Sequence, residues 1–251
     1  VIVYSSDSDL TPFDAGAYAS STTYVSGNAV LKAAQEMLEM IKAEAAIALK
    51  TTKEDIIFDG VTFKSKDQKI TLSNLANRLY YNKDQKQLTV TGSYVGHKSP
   101  PPFMAGFVEV DVDLETFEYD IVHYVSVVDC GTPINPKLAQ GQVEGGIVQG
   151  LGMACFEDVK YNKKGGLITN SILHYKIPTA TSIKKLTTEF AESYEPSGPY
   201  GAKSVGEIGV DTPPAAIANA IYNAVGVRIK SLPITPEKIY MELKKQKENI
   251  S

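Results

Sequence analysis

Gly206-Glu207-Ile208-Gly209 sets one carboxylate between two glycines. Glycine neighbours keep the backbone adaptable and the carboxylate sterically open. A carboxylate in a closed pocket is suited to act as a general base. A solvated loop glutamate has the same local sequence, and on local chemistry alone it is the commoner reading. A second concentration of glycine lies in residues 138–156, where Gly141, Gly145, Gly146, Gly150 and Gly152 interrupt an otherwise helical pattern. Each costs a helix about 0.5–1 kcal/mol relative to alanine. Two uses offset that cost: packing of helix on helix through pairs such as Gly141/Gly145, or close approach of a cofactor to the backbone. Composition alone favours packing.

The remaining reactive side chains form no comparable constellation. His97, His123 and His174 lack the i, i+4 or H-E-x-x-H spacing of a metal site and read as structural or surface residues. There is no G-x-S-x-G elbow and no P-loop. Two cysteines, Cys130 and Cys155, cannot supply the four thiolates of an iron–sulfur cluster. They read as reduced, buried thiols of a cytoplasmic protein. The chain of 251 residues is 43% hydrophobic and 22% charged, which excludes collagen-like, disordered and coiled-coil classes. A net charge of -4, with no basic run interleaved with aromatics, argues against a nucleic-acid partner. No uncharged apolar stretch approaches the ~18 residues of a membrane span, and the first residues lack the basic start and apolar core of a secretion signal.

The elements that must position these residues follow from periodicity. Val1-Ile2-Val3-Tyr4 reads as a strand, and the absence of an initiator Met is expected of a chain cut from a longer one or a processed subunit. Residues 11–27, rich in small and hydroxyl side chains, read as a loop. From Asn28, Leu31, Ala34, Leu38, Ile41, Ala45 and Ala48 mark one face of a helix. Asp59-Gly60 predicts a hairpin with a type I′ turn, and residues 72–80 a short helix. Val108, Val110 and Val112 alternate with Glu109 and Asp111 as a half-buried strand. Residues 121–128 return beside it, joined near Glu115-Thr116. Asp211 or Thr212 is expected to cap a helix with Pro213 or Pro214 in its first turn and Gly226 at its end. A last helix from Glu237 ends in a frayed, solvated run of lysines, 244–247. Paired strands and separate helix blocks predict an α+β fold, with two subdomains at 1–96 and 97–251.

Several segments together resemble one family. They are Thr11-Pro-Phe-Asp-Ala-Gly-Ala-Tyr-Ala-Ser-Ser-Thr-Thr23, Gly141-Gln-Val-Glu-Gly-Gly-Ile-Val-Gln-Gly-Leu-Gly152, Gly201-Ala-Lys-Ser-Val-Gly-Glu207 and Ala215-Ala-Ile-Ala-Asn-Ala-Ile-Tyr222, with Asn135-Pro136 and Leu232-Pro-Ile-Thr-Pro236 fitting too. In that order they resemble the C-terminal part of the molybdenum-binding subunit of the xanthine dehydrogenase/aldehyde oxidase family. The resemblance implies mixed-sheet and helix layers of a molybdopterin-binding domain. It implies hydroxylation of a carbon of an N-heterocycle or aldehyde, with water as oxygen source, and N-heterocycles of purine or nicotinate type as preferred substrates. The cofactor implied is a molybdenum pterin, as the pterin itself or its cytosine dinucleotide, with the metal held by pterin sulfurs and by no protein ligand.

Residue by residue, Glu207 matches the family's catalytic base and Gln142 the glutamine that hydrogen-bonds near the metal centre. Ala19, Ser20, Ser21 and Thr22 match the loop whose backbone N–H groups and hydroxyls bind the pterin phosphate, and Gly206 belongs to the cofactor-binding set. Ser21 stands where many members have arginine, and Ile208-Gly209 follows Glu207 where relatives have Pro-Pro. The implied partners are an N-terminal molybdenum-domain chain or segment, a 2Fe-2S subunit and an FAD subunit, in a cytoplasmic complex without which this chain is inactive. Two other readings compete: a non-catalytic cofactor-holding or assembly module of a split subunit, and an unrelated α+β binding protein.

Overall fold

The computed structural model describes residues 1–5, 7–83 and 85–248. The chain divides into two units, one of Val1–Gly16 with Val25–His97 and one of Ala17–Tyr24 with Lys98–Ser251.

The first unit holds most of α1 (Thr22–Leu49), then β1 (Ile57–Phe58), β2 (Thr62–Ser65), β3 (Gln68–Thr71) and α2 (Leu72–Tyr81). The strands form an antiparallel sheet in chain order. Ala45, Ala46, Leu49, Ile56, Phe63 and Leu75 make its core. Thr71 caps α2, its hydroxyl accepting the Asn74 N–H at 3.1 Å. Three expectations are corrected here. Val1–Tyr4 forms no strand: its side chains are exposed and no described residue pairs with it, and a lone strand has no backbone partners to stabilise it. The hairpin turn is not type I′, because only Gly60 is left-handed, at φ 96°. Asp59 instead closes the turn with its carboxylate, accepting the Val61 and Thr62 N–H groups. Helix α1 starts at Thr22, not Asn28. Its first turn is anchored by Tyr24, which is 3% exposed and donates its hydroxyl to Ser197 Oγ at 2.8 Å. That packing overrides the weak helix propensity of Thr and Ser.

The second unit is built on β4 (Phe103–Val112), β5 (Tyr119–Asp129) and β6 (Ile183–Phe190), with β4–β5 antiparallel and β5–β6 parallel. The mixed sheet and its helices confirm the α+β class. Strand β6 was not anticipated: it carries Lys184, Lys185 and Glu189, without clean alternation. Charges on an edge strand discourage further pairing, and they also blur the period. The turn between β4 and β5 falls where expected, with Asp113 accepting the Glu115 and Thr116 N–H groups.

Helix α3 (Pro136–Cys155) crosses from β5 towards β6 and buries Val143, Ile147, Leu151 and Ala154 along one stripe. Short α4 (Ile208–Asp211) leads into α5 (Pro213–Val225), and α6 (Pro236–Glu248) ends the described chain. Ile121, Leu151, Ile217, Ile221, Val227, Ile234 and Ile239 form one core cluster. Tyr124, Val128, Cys130, Val143 and Ile147 form another. The opposite side of β4, with Phe103, Phe107 and Glu109, is exposed. Helix α5 ends at Gly226 as expected, left-handed at φ 79°. Its start differs: Thr212 makes no side-chain cap, because its hydroxyl is engaged with that of Tyr124 at 2.8 Å. The lysines of 244–247 lie in α6, which continues to Glu248.

The α3 glycines divide by use. A Cβ on Gly146 would lie 2.9 Å from Gly209 Cα, and one on Gly150 would lie 2.6 Å from the Val210 carbonyl oxygen. These glycines let the backbones of α3 and α4 touch. Gly152 similarly meets the Glu157 carboxylate and Pro178. Gly141 and Gly145 would meet nothing within 4 Å. Among the described residues, the Gly141/Gly145 pair packs against no other helix. The glycines that face protein atoms need no cofactor to explain them.

Candidate functional site

Three segments of the second unit border one cleft of about 590 Å³. The first is the loop that enters α1. Ala19 and Ser20 are both left-handed, at φ 47° and 56°, a strain of roughly 1–3 kcal/mol each that persists only where surrounding contacts hold it. Ser21 closes the turn on Tyr18, its N–H and its hydroxyl both donating to the Tyr18 carbonyl at 3.0 and 2.8 Å. Thr22 and Thr23, the first helical residues, line the cleft.

The second segment runs from the end of β5 into α3. Asn135 caps the helix, accepting the Leu138 N–H at 3.2 Å, with Pro136 in the first turn. Cys130, Leu138, Ala139 and Gln142 line the cleft. The third segment is the loop before α4. It is fastened to the sheet by Lys203, whose N–H donates to the Cys130 carbonyl at 2.7 Å. The nearly buried Lys203 ammonium donates to Asp129 Oδ2 at 2.5 Å and to the Pro101 carbonyl at 3.2 Å. Asp129 also accepts from Ser193 Oγ and the Gly131 N–H. Burial pushes the Asp129 carboxyl up, but Lys203, Ser193 and Gly131 together outweigh it and hold it below the usual carboxylate range.

Glu207 is exposed and ties the first segment to the third. Its N–H donates to Ser20 Oγ at 2.8 Å, and Ser20 Oγ donates to Glu207 Oε2 at 2.8 Å. Gln142 Nε2 donates to the Gly206 carbonyl at 3.1 Å. Ala19, Ser20, Thr22, Gln142, Gly206 and Glu207 thus lie on one cleft wall system. Ser21 does not line it; its hydroxyl is turned to Tyr18. The histidines, read from sequence as structural or surface residues, do not line the cleft: His123 pairs with Thr187 Oγ1 at 2.9 Å and His174 with Ser171 Oγ at 3.2 Å. Sequence reading missed the Lys203–Asp129 pair. Its only signal was a lysine inside the glycine-rich 201–207 motif.

The donor set fits an anionic planar cofactor. The first turns of α1 and α3 both border the cleft and carry no acidic residue, so their positive dipole ends suit an anion, although in α3 Pro136 has no N–H and Asn135 already takes the Leu138 N–H. Among the described residues, Glu207 is the only carboxylate in the lining, which also includes Lys203, its ammonium held by Asp129. Ala17, Ala19, Leu138, Ala139 and Val205 give apolar surface for a flat ring. No group of three or more His, Cys, Asp or Glu among the described residues is arranged to hold a metal ion. No helix among the described residues is long and apolar enough to cross a membrane.

A family profile described as the molybdopterin cofactor-binding domain matches residues 1–184. The xanthine dehydrogenase molybdenum-binding subunit of Escherichia coli O157:H7 is 36% identical over 247 residues, covering 96% of this chain and 33% of the relative. The 6-hydroxypseudooxynicotine dehydrogenase complex subunit gamma of Paenarthrobacter nicotinovorans is 33% identical, with 94% of this chain and 31% of the relative covered. The solved CO dehydrogenase from Oligotropha carboxidovorans superposes with a TM-score of 0.81 at 26% identity, over 96% of this chain and 31% of that one. The chain spans about a third of the length of the curated relatives it matches. With its cleft, its donor set and these likenesses, the chain belongs to the molybdopterin cofactor-binding domain family of xanthine dehydrogenase-type molybdenum-binding subunits.

Proposed function

We propose that this chain supplies the catalytic base and part of the pterin site of a molybdenum hydroxylase acting on a carbon of an N-heterocycle. The reaction adds water's oxygen to the carbon and releases two protons and two electrons. When bound, the molybdenum pterin supplies the two-electron redox chemistry. Glu207 accepts a proton from the water-derived nucleophile at Oε1, the carboxylate oxygen that Ser20 does not hold. The 19–22 loop and the first turn of α1 hold the pterin phosphate, as the pterin itself or its cytosine dinucleotide, and Gln142 orients the cofactor beside Gly206. The observation that carries this reading is the arrival of Ser20, Gln142 and Glu207 on one cleft from positions 20, 142 and 207.

Purine or pyridine substrates are favoured because two of the relatives named above are called after xanthine and 6-hydroxypseudooxynicotine. Electrons need an exit, and this chain has neither the cysteines of a cluster nor a G-x-G-x-x-G fingerprint. Turnover therefore requires an N-terminal molybdenum segment, a 2Fe-2S subunit and an FAD subunit, and the isolated chain is inactive. The test is molybdenum content and turnover of the assembled complex with xanthine, nicotinate, an aldehyde and carbon monoxide. Stoichiometric molybdenum with preferential oxidation of xanthine or nicotinate is expected. A complex without molybdenum would instead make the chain a silent cofactor-holding or assembly module. In the loaded complex, Glu207→Gln lowers kcat by about 10²–10⁴ with molybdenum retained. Gln142→Ala lowers activity less completely. Near-normal turnover by Glu207→Gln would remove the base from the scheme.

A further inference from the structure

The Ser20 hydroxyl is committed to Glu207. A serine hydroxyl has one proton to donate and two lone pairs to offer. Here the proton goes to Glu207 Oε2 and a lone pair takes the Glu207 N–H, both at 2.8 Å. No donor capacity of this side chain remains for an anion in the cleft. The opposite pole of the same peptide, the Gly206 carbonyl, accepts from Gln142 Nε2 at 3.1 Å. Glycine at 206 makes room for this: a Cβ there would stand 3.0 Å from Ser20 Oγ. The backbone at Ser20 is left-handed, at φ 56°, a conformation that persists where contacts hold it.

We propose that Ser20 is a positioning residue for Glu207, not a side-chain contact for the pterin phosphate. Ser20 and Gln142 clamp the two poles of the Gly206–Glu207 peptide and so fix where the carboxylate sits on the cleft wall. This rests on the reading of Glu207 as proton acceptor given above. The assignment differs from the one the family resemblance implied for the Ser20 side chain, and the two make opposite predictions. A phosphate donor, when removed, costs cofactor. A positioning residue, when removed, costs rate.

The test uses Ser20→Gly and Ser20→Ala in the assembled holoenzyme. Glycine accepts φ 56° without strain, so it removes the hydroxyl without straining the loop. Molybdenum content, steady-state kinetics on xanthine and nicotinate, and hydrogen–deuterium exchange of a peptide spanning residues 205–210 are measured on the same preparations. Both variants are expected to keep wild-type molybdenum. Their kcat falls about 10–100-fold with KM nearly constant, the loss expected when a reacting group is displaced by ~1 Å. Exchange at the Glu207 amide quickens in both. Loss of molybdenum in proportion to activity would return Ser20 to cofactor binding and overturn the proposal. Unchanged kcat and exchange beside an inactive Glu207→Gln would overturn it while leaving the base in place. Normal turnover by Glu207→Gln itself would instead overturn the underlying reading.

Discussion

Replacing Gly145 and Gly150 of α3 separately by alanine should move stability in opposite directions. Both sit inside the same helix, so both gain about 0.5–1 kcal/mol from the better helix propensity of alanine. At Gly145 the new methyl meets nothing within 4 Å, and the gain stands alone. At Gly150 it would sit 2.6 Å from the Val210 carbonyl oxygen and 2.9 Å from Pro213 Cγ. Neither neighbour is the far end of a flexible side chain, so α3 and α4 must separate. Overpacking of this kind costs roughly 1–3 kcal/mol, and with hard backbone on one side the upper part of that range applies. Subtracting the propensity gain leaves Gly150→Ala about 1–2 kcal/mol less stable than the parent. Thermal unfolding followed by near-ultraviolet circular dichroism reads both. Gly145→Ala should rise by about 1–4 °C and Gly150→Ala fall by about 2–8 °C. A Gly150→Ala protein at or above the parent, or a Gly145→Ala protein below it, would refute the division of these glycines into packed and open.

Asp129→Asn and Lys203→Met each leave one member of the pair without its partner. Because Asp129 keeps a quarter of its side chain exposed, the cost is set at about 2–3 kcal/mol, below the ~3–5 of a fully buried pair. Asp129 titrates below its ordinary value in the fold, so its stabilisation is complete above the unfolded carboxyl's ~3.9 and disappears as pH falls through the lower folded value. The Asp129→Asn deficit, read from urea unfolding, is therefore full at pH 7 and shrinks below about pH 4; a deficit that grows in acid would contradict the sign. Burial pushes the Cys155 thiol up to about 11 and raises Cys130 as well. Iodoacetamide at pH 8 should label neither cysteine in the native chain and both in urea; rapid native labelling would reverse that assignment.

What could be read from sequence was whatever a single segment determines. Residues 72–80, the strand pair around Asp113 and the Gly226 cap each depend on period or on one φ angle. The motif segments carrying Ser20, Gln142 and Glu207 were found because each is short and contiguous. Their mutual geometry was not readable, since Ser20 and Glu207 bond across 187 positions and Lys203 and Asp129 across 74. Errors fell where tertiary contact decides. Tyr24 pulls hydroxyl-rich residues into α1, Thr212 gives its hydroxyl to Tyr124 instead of capping α5, and β6 is a strand because β5 lies beside it. The sorting of the α3 glycines needed the α4 backbone, whose nearest approach comes from residues 209 and 210.

The same helix that carries Gln142 also fixes the loop it bonds to. Val143, Ile147 and Leu151 lock the rotation of α3 against the cores of the second unit. On the adjoining face, the Gly146 and Gly150 contacts seat α4, whose N-terminal flanking residue is Glu207. Gln142, one turn before Gly146, therefore reaches the Gly206 carbonyl from a helix whose position relative to α4 is already set by backbone contact. Hard contact between backbones is stiffer than contact between side chains, because no rotamer is free to absorb a displacement. It follows that a methyl at Gly150 should do more than destabilise. By lifting α4 from α3 it should lengthen the Gln142–Gly206 bond, and in the assembled enzyme Gly150→Ala should lose kcat although no atom of Gly150 lines the cleft. Gly145→Ala, on an open face of α3, should keep its rate while gaining stability. Equal turnover in both variants would show that the α3–α4 contact supports the fold without setting the geometry of the cleft.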